Sequence, residues 1–148
     1  KLKLVEPSEN MKISYLQKAE NCLKSSKILL QIHIYENSHS EAYYCMYNSL
    51  TALLFKNGIK CENHAASILL LKRIFREMQL FRIISKAKKQ RIDKQYYVTS
   101  TPEDTLTKEA ASDMQKTAED FLIRMRLLIG RQATGDIERI RNAFEMNI

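Results

Sequence analysis

Glycine and proline are almost missing from this chain, with 3 Gly and 2 Pro among 148 residues. A many-turned β fold needs such breakers, so their scarcity favours long helices. Long apolar runs are missing as well. None approaches the roughly 20 residues that span a bilayer. The opening Lys1-Leu2-Lys3-Leu4-Val5-Glu6-Pro7 lacks the apolar stretch of a signal peptide. A cytoplasmic protein with no membrane partner is the expectation. The three cysteines, Cys22, Cys45 and Cys61, are odd in number and form no C-x-x-C pair. Cys22 and Cys45 fall on apolar faces, where they read as small buried hydrophobes rather than as disulfide or metal-binding residues.

What is present fits a globular chain. Hydrophobic residues make up 45% and charged residues 28%, too apolar a balance for disorder. The length predicts one domain over residues 1–148, with a core over about 8–130. The net charge of +7 suits attraction to nucleic acid or another acidic partner, and equally suits plain solubility.

Period, caps and breakers predict the elements. A first helix starts at Ser8, whose hydroxyl can accept from a free backbone N–H, with Glu9 suited to the positive helix end. Leu16, Ala19, Leu23, Leu30 and Ile34 form its buried stripe. Ser38 and Glu41 have the spacing of a capping box, which predicts a second helix from there to Lys56. Asn57-Gly58 should end it, Gly tolerating a left-handed cap. This helix is apolar on most faces and should be central, with Ala42, Ser49 and Ala52 allowing close approach. A third segment starts near Asn63 and a fourth runs from about Met78 to Tyr97. No Gly or Pro separates them, so one bent helix and two helices are both open. Val98 to Thr107 reads as a loop, and Thr107 opens a long helix that Gly130 should end. The tail, residues 131–148, is expected to carry at most a short helix from Thr134. The sum is an all-α, antiparallel up-and-down bundle of four to five helices.

Three stretches carry a resemblance. The first is Ala42-Tyr43-Tyr44-Cys45-Met46-Tyr47-Asn48, continued by Ala52-Leu53-Leu54, Gly58-Ile59 and His64. The second is Arg91-Ile-Asp-Lys-Gln-Tyr96, and the third Ala118-Glu119-Asp120-Phe121-Leu122. Together, over about residues 10 to 130, they resemble the HEPN family (higher eukaryotes and prokaryotes nucleotide-binding), in its small stand-alone prokaryotic branch. The resemblance implies a helical bundle, commonly a homodimer. It also implies a minimal nucleotidyltransferase as partner in a toxin–antitoxin-like pair. Many members of that family are metal-independent RNases with an R-x(4–6)-H motif, in which Arg stabilises phosphate charge and His moves the proton of the attacking 2′-OH.

The chain departs from that motif. Before His64 the Arg positions hold Asn57, Gly58 and Ile59; before His39, Ile32, His33 and Ile34; before His33, Ser26, Lys27 and Ile28. Such an RNase needs a cation near the phosphate and a base titrating near neutrality. Only Arg91 or Lys60, brought in through space, could replace the missing Arg. Asn48 stands where the family often has His, and Gln95 where the acid of its D-Y pair lies. Asp93, two residues earlier, points about 160° away on a helix.

The candidate site residues each have a plain reading beside the functional one. His64 is a catalytic or nucleotide-binding candidate, or a first-turn residue bonding backbone behind the Asn63 cap. Tyr44 and Tyr96, with Tyr43 and Tyr47, can stack on a base, or fill a core with bonded hydroxyls. Lys88, Lys89 and Arg91 can follow phosphates, or form a solvated helix face. Asn48 completes the nucleotide- or RNA-binding set. His33 and His39 lack metal-ligand spacing, and no metal or cofactor is expected.

Three functions compete at this point. The first is a non-catalytic HEPN module that binds nucleotide or RNA or partners a nucleotidyltransferase. The second is an RNase with a rearranged site built on His64 and Arg91. The third is a structural assembly bundle outside the family. Tyr44, His64 and Arg91 are expected to face one shared cleft.

Overall fold

A computed structural model describes residues 1–96 and 106–147, with side chains up to residue 91 in the first stretch. In chain order the elements are β1 (Leu2–Leu4), α1 (Glu9–Gln31), α2 (Tyr35–Lys56), β2 (Ile59–Cys61), α3 (His64–Arg73), α4 (Met78–Tyr96), α5 (Lys108–Arg131) and α6 (Thr134–Met146). The fold is all-α apart from one small antiparallel ladder, in which Leu2 pairs with Cys61, Lys3 with Lys60 and Leu4 with Ile59. Among the described residues there are six helices, the sixth being the tail helix from Thr134. No described helix is long and apolar enough to cross a membrane.

The contacts give the helix directions. Between α1 and α2, Ser26 meets Ser38, Asn48 meets Cys22 and Tyr15 meets Phe55, so one number falls as the other rises and the pair is antiparallel. Between α2 and α5, Cys45 meets the Ala118 carbonyl and Lys56 the Ile129 carbonyl, so these two run parallel. Gln79 on α4 bonds Arg124 on α5, while Ile83 to Gln90 share a cavity wall with Ala110 to Thr117. That pair is antiparallel, and α1, α2, α4 and α5 form the up-and-down bundle.

Helix α2 is its axis. Thirteen of its residues are buried, and none along its second half is more than half-exposed. Ala42, Ser49 and Ala52 are fully buried, as their small size predicts for close helix contact. Tyr43, Met46, Leu50 and Leu53 fill the centre with Phe121 and Met125 of α5. Each such side chain removed from water contributes about 1.5–3 kcal/mol. Burial also raises the Cys22 thiol to about 11, with help from Glu41, and Cys45 to about 12. Both stay protonated and inert at neutral pH.

Several caps stand where the sequence puts them. Ser8 Oγ accepts from Met11 N at 3.1 Å, Asn63 Oδ1 from Ala66 N at 2.9 Å, and Thr107 Oγ1 from Ala110 N at 3.1 Å. Asn57 closes α2 and Gly58 follows at φ +69°.

Two expectations are corrected and one open question is answered. Ser38 does not cap α2. The helix starts earlier, at Tyr35, after a tight turn in which His33 takes φ +65°. Ser38 is instead buried in the α1–α2 seam, where its hydroxyl donates to the Ser26 carbonyl at 2.7 Å and the Ser26 hydroxyl donates back to the Ser38 carbonyl at 2.8 Å. Those reciprocal bonds satisfy a polar residue that reads as a cap in isolation. Gly130 does not end α5, which runs on to Arg131 with open space at Gly130. The question left open between the third and fourth segments resolves into two helices. Arg76 takes φ +60°, Glu77 N donates to Leu71 O at 2.7 Å, and Ile74 and Phe75 are pulled into the core. Tertiary burial breaks the chain where no Gly or Pro does. The expected loop over Val98 to Thr107 lies outside the described residues, except for Leu106 and Thr107.

Candidate functional site

Helix periodicity places Tyr43 with Tyr47, and Tyr44 with Asn48, one turn apart along α2. Asn63 then starts α3 so that His64, its first residue, swings back over them. The His64 ring lies flat on Tyr47, with centroids 3.6 Å apart and planes 15° from parallel. Its Nδ1 is 2.9 Å from the Tyr43 hydroxyl, and Tyr44 meets it edge-on at 6.2 Å. The plain reading, a first-turn His bonding backbone, is thus not what the geometry gives: this imidazole is held by three tyrosines. The Tyr47 hydroxyl in turn bonds Ser67 Oγ at 3.2 Å.

Arg91 enters from α4. Its Nη2 donates to the Tyr44 hydroxyl at 2.9 Å, and its guanidinium carbon sits 5.1 Å and 4.9 Å from the Tyr43 and Tyr44 ring centroids. Both distances lie within cation–π range. Among the described residues its buried Nε has no hydrogen-bond partner. Burial, then the charges of Arg91 and Lys88, hold the His64 pKa below 6.5. Burial pushes the Tyr43 hydroxyl well above its ordinary value. At neutral pH the pair is therefore a neutral imidazole against a protonated phenol. His64 keeps one donor and one acceptor, and the tautomer decides which faces Tyr43.

Tyr44, Asn48 and His64 line a cleft of about 400 Å³. Tyr15 and Phe55, stacked at 5.4 Å, supply a further aromatic wall. Lys18, Lys60 and Glu62 bring charge to its edge. Arg91 is not part of this lining; it reaches the site through the Tyr44 hydroxyl. Convergence therefore holds for Tyr44 and His64 on the cleft, and for Arg91 one contact removed. Lys88 is half-buried near His64, Lys89 is exposed, and the side chain of Tyr96 lies outside the described residues, as do those of Asp93 and Gln95. Asn57 and Gly58, two of the three positions the family Arg would take, are buried in the turn before the site.

Sequence reasoning missed Tyr15, Phe55 and Lys18 as site residues. Their signal is the register of the α1–α2 hairpin, which carries Tyr15 to Phe55 once the turn is known.

Geometry defines the class: a helical bundle whose central helix presents an aromatic cleft flanked by lysines. The model of the HEPN domain family matches residues 14–128. The chain belongs to the HEPN family, and the reading as a bundle outside it is set aside. No curated protein matches the chain.

Proposed function

We propose that this HEPN domain is a non-catalytic module that binds a nucleotide or RNA segment in the Tyr44–Asn48–His64 cleft. The observation that carries the reading is the ring cluster beside lysines. The rings of Tyr44, Tyr15 and Phe55 line the cleft beside Tyr47, one face of which His64 already covers, and Lys18 and Lys60 bring positive charge to the same cleft. A base stacked on an aromatic side chain is worth about 1–3 kcal/mol, and the lysines suit the phosphates. The family motif's Arg is missing, and Arg91 is already engaged by Tyr44, which supports binding without cleavage.

A second reading, a metal-independent RNase with a rearranged site, has one observation in its favour: His64 is held in the neutral form that a general base starts from. The family also motivates a cytoplasmic, toxin–antitoxin-like pairing with a minimal nucleotidyltransferase. A homodimer has support in Ile123 and Leu127, one turn apart on α5 and 54% and 60% exposed.

The test is anisotropy titration of a fluorescein-labelled single-stranded RNA, together with a gel assay of its integrity. Saturable binding of intact RNA that Tyr44→Ala weakens supports the module. Cleavage lost in both His64→Ala and Arg91→Ala moves the reading to the RNase. Absence of both binding and cleavage overturns the RNA-binding reading.

A further inference from the structure

The residues before 14 and after 128 lie outside the family match, yet they meet at the turn that leads into the site. Nη1 of Arg141, on α6, donates to three backbone carbonyls: Val5 at 2.7 Å, Gly58 at 3.1 Å and Asn57 at 3.2 Å. One guanidinium nitrogen thus ties α6, the stretch after β1 and the α2–β2 turn together. Val5 N also donates to the Gly58 carbonyl at 2.7 Å. Gln132, between α5 and α6, exchanges amide bonds with Asn57 at 2.9 Å and 3.1 Å. Gly58 is at φ +69°, and a Cβ there would run into Arg141 Nη1 and the Val5 carbonyl. Only Gly fits this knot, on both counts.

What the knot holds is the rim of the cleft. Lys60 and Cys61 of β2, Glu62 and His64 follow directly from the turn, and all four line the cleft. β2 has β1 as its ladder partner, and a two-stranded ribbon of three residues a side is too short to be stable by itself. Its order must come from outside the ladder. Phe144 anchors α6 in the core, and Leu2, Leu70 and Phe144 share the wall of an apolar cavity of about 110 Å³, where β1, α3 and α6 meet.

We propose that β1 and α6 form a clamp, closed by Arg141, that positions the Lys60–His64 rim for ligand. Arg141 is a positioning residue: it acts through the Asn57–Gly58 turn and touches nothing in the cleft. Undocking of α6 frees the rim while the α1, α2, α4 and α5 bundle stays folded. The ligand half of this proposal rests on the cleft being the RNA site argued above; the ordering half does not.

The experiment uses the full chain with Arg141→Ala, and independently Gly58→Ala, which attacks the same knot from the other side. Hydrogen exchange of the free proteins is read first. Both variants should speed exchange at Val5 and across β1 and β2 by about tenfold or more, with amides in the middle of α2 unchanged. Unchanged exchange in the ladder overturns the clamp, and so does acceleration spread evenly through α2. Arg141→Lys, which keeps the charge and loses the fork, serves if Arg141→Ala does not fold, with the same two readings. Affinity for the labelled single-stranded RNA is read second. A loss of about fivefold or more in the variants supports coupling of clamp to cleft, and an unchanged affinity overturns it. Wild-type protein that binds no RNA sinks the cleft reading and the coupling with it, and the exchange result still decides the clamp.

Discussion

The imidazole of His64 lies face to face on the ring of Tyr47, with centroids 3.6 Å apart. Its Nδ1 is bonded to the Tyr43 hydroxyl, and its pKa is held below 6.5. Burial is the main cause of the lowered pKa, followed by Arg91 and Lys88. The consequence for stability has a definite sign. Below pH 6.5 the unfolded chain takes a proton on this His while the folded chain resists it, so the unfolded state binds more protons. His64 contributes stability that is present above 6.5 and lost as pH falls through its lower folded value. Urea midpoints at about pH 7.5 and about pH 5 should fall further for wild type than for His64→Gln. Equal falls in the two proteins would show that His64 does not titrate abnormally.

Tyr44 has two separable roles. Its hydroxyl accepts from Arg91, and its ring lines the cleft. Tyr44→Phe removes the first and keeps the second, while Tyr44→Ala removes both. Losing a hydrogen bond to a charged donor costs about 1.5–3 kcal/mol, so Tyr44→Phe should lower stability. It should leave RNA affinity within about twofold, because the stacking face survives. Tyr44→Ala should weaken RNA binding by about 5- to 100-fold. If the two variants bind RNA equally, the ring is not a stacking platform.

Lys56 closes α2 and at the same time serves α5. Its Nζ donates to the Ile129 carbonyl and, at 3.4 Å, to that of Gln132. These carbonyls lie at the C-terminal end of α5, where a cation is favourable. Burial lowers its pKa, so the ammonium holds its charge at some cost. Lys56→Met keeps the aliphatic stem and removes the donor. It should cost about 1 kcal/mol in chemical denaturation. It should also speed exchange in the last turn of α5. A variant as stable as wild type would mean that water replaces the ammonium without loss.

How far the fold was legible depended on whether a signal was local. Ser8, Asn63 and Thr107 cap helices through their own side chains, and each stood out in the sequence. Helix α2 stood out because it is apolar on most faces. The start at Tyr35 and the break at Arg76 did not, since both rest on positive φ at non-glycine residues, which no residue type announces. The ladder of β1 with β2 left no period at three residues a strand. The site divided along the same line. Tyr44 and Asn48 share one helix and His64 opens the next, and the family resemblance carried by that stretch grouped them. Tyr15, Phe55 and Lys18 join only through the register of two helices. The clamp at Arg141 joins residues more than 80 positions apart, and nothing local announces it.

That register rests in part on the two buried serines of the α1–α2 seam. Ser26 and Ser38 each donate to the other's carbonyl, and their hydroxyl oxygens are 3.2 Å apart. Both are fully buried, so each hydroxyl depends on the other residue for its partner. Removing one hydroxyl forfeits a hydrogen bond worth about 1 kcal/mol and strips the other of a neighbouring dipole. Removing both leaves two methyl groups in an apolar seam, with the carbonyls still bonded within their helices. The double variant Ser26→Ala/Ser38→Ala should therefore cost less than the sum of the singles, by about 0.5 kcal/mol or more. A double-mutant cycle by urea denaturation measures this directly. Strict additivity would show that the serines act separately, and that apolar contacts alone set the register that carries Tyr15 to Phe55.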